Sequence, residues 1–337
     1  MKPNTAADIF SKQSIMPRSR SAKQNLAASA WYILGAGAIG CLWAASLQQQ
    51  NIRATLVVRD EKSIDLYNTN GGLSLNRDQQ TVMLAAELVT PTQIDQPISR
   101  LIVATKAQHT LEALASIADN LADDATILLL QNGMGQQQAV VEQYPSTQLY
   151  CGISTDGAYV ASPFNIIHAG AGNTVIGRFP EQLSNDRQLT ALLDDLPNQQ
   201  LSLETSHHIE PLLLKKVLIN TLINPLTAVH QCRNGDLLAL PDVYLQLQQL
   251  AAEVDQVTRA AGHYHAVGSA LELAREVATA TANNRSSMLQ DRQAGRRTEI
   301  DYILGYFCRL AEKNNIATPL CDALLNMVRQ WPVNDQA

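Results

Sequence analysis

The stretch WYILGAGAIG, residues 31 to 40, restricts what this chain can fold into more than any other. Its four leading apolar residues suit a short buried strand, and the run CLWAASLQQQ that follows suits a helix packed against it. A second apolar run, ATLVVRD, then supplies another strand. The three glycines of this turn have different duties. Gly35 permits the tight bend, Gly37 lets backbone approach a pyrophosphate, and Gly40 lets helix and strand pack closely. A pyrophosphate placed there rests on the unpaired amides at the positive end of the helix. Gly35, Ala36, Gly37, Ala38, Ile39 and Gly40 are therefore the expected dinucleotide-binding loop.

The end of the second strand distinguishes the two nicotinamide cofactors. An acid there binds a ribose 2′-hydroxyl, and an arginine accommodates a 2′-phosphate. The chain has Arg59 followed by Asp60. Arg59 is read as the phosphate partner, which gives NADP(H); the alternative is that one of the two merely caps the strand. The runs LIVATK and TILLLQNG, separated by a helical stretch from about His109 to Leu121, continue a parallel α/β alternation. Ligands in such sheets lie beyond the carboxyl ends of the strands. Lys106 and Asn132 are thus expected to face the cofactor, with Gly133 allowing its close approach. GAYV, NIIHAG and NTVIG are expected as short strands closing the domain, with His168 in a structural role.

The expected fold class is α/β: a Rossmann-type NADP-binding domain over residues 30–208, then an all-helical substrate and catalytic domain over 209–337. Residues 1–29 carry Lys2, Lys12, Arg18, Arg20 and Lys23 against the single acid Asp8, and read as a basic, flexible tail. A formal net charge of −6 gives no reason to expect a nucleic-acid partner. No uninterrupted apolar run reaches the ~18 residues of a membrane span, so no membrane partner is expected. The five cysteines form no CxxC pair, which points to neither disulfides nor a metal site and suits a reduced, cytoplasmic setting. His207, His208, His263 and His265 lack a third ligand at metal spacing and are read as surface residues.

The back half poses a different question. In LLKKVLINTLINPLTA, Lys216, Asn220 and Asn224 recur at intervals of four, so they stack on one face of a helix. The simplest account is a solvated stripe. Against it, the other faces are apolar nearly all round, and asparagine is a poor helix-interior residue. Pro225 is expected to end or kink this helix where the polar face finishes. HQCRNGDL reads as a turn with Asn234 and Gly235 at its tip. A second polar cluster, NNRSSMLQDRQAGRRTEID, holds Asn284, Ser286, Ser287 and Glu299; its serines equally suit a capped helix start.

The segments GAGAIG, ATKAQ, LLQNGMG, HAGAGNTVIG, KKVLINTLINPLTA, RNGDL and SSMLQDRQAGRRTEIDYI together resemble the ketopantoate reductase (2-dehydropantoate 2-reductase) family. One departure is Leu304-Gly305, where that family usually shows Asn-Gly. The resemblance implies NADPH-dependent reduction of ketopantoate to pantoate, a step of pantothenate biosynthesis. It implies that Lys216 protonates the oxygen as hydride arrives, and that Asn132, Asn220, Asn224, Asn234, Asn284 and Ser287 line the substrate. It places Lys106, Asn132, Ala158 and Glu299 on the cofactor side, although Glu299 could equally contact the substrate hydroxyl. A free lysine titrates near 10.4, about three units too high for an efficient donor at neutral pH, and desolvation in a cleft would lower it. The other readings are an NADP-linked reductase of another 2-oxo or 3-hydroxy acid and a non-catalytic NADPH sensor. A small 2-oxo acid is the expected partner, and either a monomer or a homodimer is compatible with the sequence.

Overall fold

A computed structural model describes residues 30–181 and 186–334. The basic segment 1–29, expected as a flexible tail, lies outside the described residues. The chain divides into two compact units, one spanning 30–131 and 137–209, the other 132–136 and 210–334.

The first unit is built on twelve strands: β1 (Trp31–Leu34), β2 (Ala54–Val57), β3 (Leu73–Arg77), β4 (Gln80–Leu84), β5 (Glu87–Val89), β6 (Ile98–Val103), β7 (Leu121–Leu129), β8 (Gln148–Ser154), β9 (Gly157–Ser162), β10 (Asn165–Gly170), β11 (Asn173–Arg178) and β12 (Ser202–Thr205). Eight form one sheet in the order β12-β11-β8-β7-β6-β1-β2-β5. It is parallel except where β11 meets β8. Its central strands are short apolar runs because both faces are covered. Helices α1 (Ala38–Gln49), α2 (Glu61–Thr69), α3 (Thr110–Ala115), α4 (Gln136–Gln143) and α5 (Asp186–Asp194) complete the connections. α1 is apolar around its circumference and buried from Gly40 to Leu47, as a helix laid on a sheet requires. The chain goes from β1 to β2 on one side and returns to β6 on the other, so a crevice at the carboxyl ends of β1 and β6 is the topological switch point.

One local expectation changes, and two are made more specific. The helix foreseen over His109–Leu121 is broken: α3 ends at Ala115, and single 3₁₀ turns occupy Ala107–His109 and Ala118–Asn120. Of the three strands expected to close the domain, only β11 joins the large sheet. β9 and β10 instead complete a second sheet, β4-β3-β10-β9, with the β3–β4 hairpin, whose turn residues Asp78 and Gln79 both have positive φ. His168, on β10, is structural. Arg77 Nε donates to its Nδ1 at 2.8 Å, so its Nε2 carries the proton and donates to Asp156 Oδ1 at 2.9 Å. Burial would raise the Asp156 pKa, but hydrogen bonds from His168, Gly172 and Ser154 outweigh it and hold the carboxyl below its usual value.

The second unit is helical: α6 (Ile209–His230), α7 (Asp236–Ala239), α8 (Pro241–Ala260), α9 (Tyr264–Val267), α10 (Ala270–Ala280), α11 (Ser287–Gln293), α12 (Leu304–Lys313) and α13 (Pro319–Arg329). α6 does not end at Pro225 but runs on to His230. An interior proline costs about 3 kcal/mol. The buried Leu222, Ile223 and Leu226 flank it, and each fully buried aliphatic side chain contributes about 1.5–3 kcal/mol. Packing therefore outweighs the lost hydrogen bond. By length and composition α6 is apolar enough to cross a membrane, yet most of it is buried within the core of its own unit.

α13 lacks a cap of its own, since Thr318 makes no side-chain cap bond. Glu253, on α8, supplies it: its carboxylate accepts from Leu320 N at 2.8 Å and Cys321 N at 2.9 Å. Glu253→Ala should therefore lower unfolding stability by about 0.5–2 kcal/mol, the range for losing a helix cap. Urea denaturation followed by circular dichroism reads this directly. An unchanged midpoint would mean that water serves those amides equally well.

Candidate active site

At the switch point the glycine loop has the geometry of a phosphate cradle. Gly35 adopts φ +107°, and a Cβ there would lie 2.9 Å from Thr105 N. A Cβ on Gly40 would collide with the Gly35 carbonyl, so α1 can approach the turn only with glycine at this position. Gly37 has nothing within 4 Å of its Cβ position, which leaves open space in front of the loop. Gly37 is also the N-cap of α1, without a side-chain cap, and no acid stands in the first turn. The amides of Ala38 and Ile39 thus open that helix with no side chain competing for them. These features fit a pyrophosphate.

Beyond β2 the ambiguous pair separates. Asp60 caps α2, its Oδ1 accepting from Ser63 N at 3.0 Å and Ser63 Oγ at 2.9 Å, and these hydrogen bonds lower its pKa. Arg59 is exposed beside it. Ala104 N donates to Leu34 O at 2.9 Å, which fixes the end of β6 against that of β1, and Lys106 follows, half-buried. Ala158 lies on β9, opposite His168 in the smaller sheet, and packs against the same apolar core as Ala36 and Ile39.

Asn132 belongs with the helical unit. Its Nδ2 donates to Glu299 Oε2 at 3.3 Å. Next to it, Met134 N donates to Tyr302 O at 2.8 Å. Gly133 has φ +89°, and a Cβ there would lie 2.6 Å from Tyr302 O. Gly133 therefore permits a close approach to the Tyr302 backbone. The sequence revealed that a glycine was needed but not which partner required it.

On α6, Lys216 and Asn220 are half-buried and Asn224 is buried. The neighbouring Lys215 has its pKa lowered by burial, opposed in part by the Glu276 carboxylate. Thr227, one turn after Asn224, donates through Oγ1 to Ser286 Oγ at 2.7 Å, and Ser286 caps α11 through Leu289 N at 3.1 Å. Ser286 is thus committed to the cap, while Ser287 beside it is exposed. Asn234 Nδ2 donates to Thr281 Oγ1 at 2.8 Å, and Asn234 N donates to Asn284 O at 3.0 Å. Asn234 Oδ1 is buried and has no hydrogen-bond partner among the described residues. Asn284 is exposed. The structure therefore gathers Lys216, Asn220, Asn224, Asn234, Asn284, Ser287, Asn132 and Glu299 into one compact unit, and Gly35–Gly40, Arg59, Lys106 and Ala158 into the other. Leu304 is fully buried at the start of α12, so the departure from Asn adds apolar packing there.

Residues 31–181 match the family described as ketopantoate reductase PanE/ApbA, and residues 208–331 match its C-terminal domain. The chain belongs to the ketopantoate reductase family. It is 32% identical over 307 residues to the 2-dehydropantoate 2-reductase of Yersinia pestis, covering 88% of this chain and 93% of that one. A probable 2-dehydropantoate 2-reductase from Bacillus subtilis superposes with a TM-score of 0.75 at 26% identity, covering 89% and 99% of the two chains. A D-mandelate dehydrogenase bound to NADH and anilino(oxo)acetate shares the fold at a TM-score of 0.78 and 22% identity, covering 89% and 97%. This chain thus shares its fold with an NADH-bound dehydrogenase. All five cysteines are free thiols, and no group of three metal-ligating side chains occurs among the described residues.

Arg59→Ala should weaken NADPH by about 10- to 100-fold, the worth of one charge-assisted contact to the 2′-phosphate, and leave NADH nearly unchanged. Isothermal titration with both cofactors checks this. Equal losses for the two, or wild-type protein that binds both alike, would remove Arg59 from the site.

Proposed function

We propose that this protein reduces 2-dehydropantoate to pantoate with NADPH. The observation that carries this reading is the placement of Lys216, Asn220 and Asn224 along α6 in the same unit as the Asn132–Glu299 pair. When bound, NADPH supplies hydride to the ketone carbon. As the carbonyl oxygen gains charge, the Lys216 ammonium donates a proton from Nζ and stabilises the developing alkoxide. Asn220 and Asn224, on the same helical face, hold that ammonium and the ketone without cancelling the positive charge. Asn284 and Ser287 offer donors to the substrate carboxylate. The buried Asn234 Oδ1 and the Glu299 carboxylate offer acceptors to the substrate hydroxyl, with Asn132 keeping Glu299 in place.

The dinucleotide is held by Gly35–Gly40 through the α1 amides, with Arg59 on the 2′-phosphate and Lys106 at the neighbouring strand end. Ala158 and Glu299 are assigned to the cofactor side on family resemblance. Glu299 is the better fit to the hydroxyl, because its carboxylate already accepts from Asn132.

Lys216→Ala should lower turnover by about 10²–10⁴, the usual range for a positioned general acid, with NADPH affinity retained. Lys215 points about 100° round the helix and faces Glu276, so Lys215→Ala should be mild. Steady-state turnover and cofactor affinity of the two variants decide the matter. If Lys215→Ala were the inactive variant, the helical phase assigned to the acid would be wrong.

A further inference from the structure

Outside the proposed catalytic groups, the helical unit contains a cavity of about 480 Å³ with an unusual wall. Arg292, Arg296, Arg297 and Arg329 line it, against one carboxylate, Asp301. The remainder is largely apolar and includes Val328, Pro332, Val333 and the indole of Trp331. In a chain of net charge −6, four guanidiniums converging on one cavity are not explained by a generally basic surface.

Arg292, Arg296 and Arg329 are each held by named partners. Arg292 donates to the carbonyls of Ala228 and Val229, and its guanidinium lies 4.3 Å from the Trp331 ring centroid. Its partners are neutral, so they orient the charge without compensating it. Arg296 pairs with Asp291 at 2.9 Å, and Arg329 pairs with Asp301 at 2.6 Å. Side chains held this way lose little rotamer freedom when a ligand arrives. The volume falls in the usual range for small-molecule sites, about 300–1,000 Å³. Guanidinium forks match the paired oxygens of a phosphate, and an apolar wall beside them suits the group that carries it.

We propose that this cavity, lined by the helical unit alone, is a second ligand site, specific for a small molecule bearing a polyanionic phosphate group. The Trp331 ring is part of its wall, whereas Trp31 and Trp43 are fully buried in the other unit. Tryptophan fluorescence therefore reports on the cavity selectively.

The test uses the full-length protein, saturated with NADP⁺ so that the glycine loop is filled, and titrated with inorganic pyrophosphate at constant ionic strength. The expected result is a saturable fluorescence change that Trp331→Phe abolishes. Arg297→Gln should raise the dissociation constant by about tenfold, one charge-assisted contact. Val333→Asp, which adds a carboxylate to the wall and removes no ion pair, should weaken binding as well. Melting curves of both variants check that the fold is retained, and Val333→Asp should melt as wild type does. Three results would overturn the proposal: no saturable change, an equal response to sulfate, or pyrophosphate affinity unaltered in both variants.

Discussion

The arrangement depends on α6 being encased by apolar packing while carrying three polar side chains on one face. Moving an unpartnered amide or hydroxyl out of water costs roughly 2–7 kcal/mol, so such a face persists only where it is served by partners, water or substrate. The packing that surrounds it comes from α8, α10, α11, α12 and α13, whose buried residues form one continuous core with α6. That core is strong enough to carry the helix through Pro225. Lys216, Asn220 and Asn224 therefore stand on one continuous helix. Thr227 and the Ala228 and Val229 carbonyls tie the next turn to Ser286 and Arg292 of α11. Lys216, Asn220, Asn224 and Ser287 are thus carried by helices rather than by loops, which is what positioning over hydrogen-bond distances demands.

The nucleotide loop rests on a different constraint, pure sterics. Gly35 and Gly40 are glycine because a single carbon at either would meet backbone, and Gly37 is glycine at the one point facing open space. The same spacing that gives a tight strand-to-helix turn therefore leaves α1 with an uncapped amino end. Fold and anion site are two consequences of one short sequence.

The phosphate loop, the parallel sheet and the change to helix near residue 209 were legible because each is written in local pattern: glycine spacing, apolar runs, and a switch of period. The Ser286 cap was legible for the same reason. What escaped was decided by non-local packing. Pro225 reads locally as an end or a kink, and the helix does not end there because the burial of Leu222, Ile223 and Leu226, which local rules cannot weigh, outweighs it. β9 and β10 were legible as short strands, but nothing in GAYV or NIIHAG names the β3–β4 hairpin as their partner. Asn132 was placed by its strand, yet its side chain meets Glu299, and only tertiary structure reveals a pair 167 residues apart. Residue roles at the substrate came from family resemblance; the geometry adds what each can donate or accept, most clearly at Asn234 Oδ1.

The central claim is that buried acceptors in the helical unit recognise the hydroxyl of a branched 2-oxo acid while Lys216 delivers the proton. The most direct measurement is NADPH oxidation by the purified protein, comparing 2-dehydropantoate with 3,3-dimethyl-2-oxobutanoate, which has hydrogen in place of the hydroxyl. A site built to bond a hydroxyl rejects the analogue lacking it by up to about 10⁴–10⁵ in kcat/KM, so a preference of at least about 10² is expected. Equal kcat/KM for the two acids, or no oxidation of NADPH with either, would contradict the account.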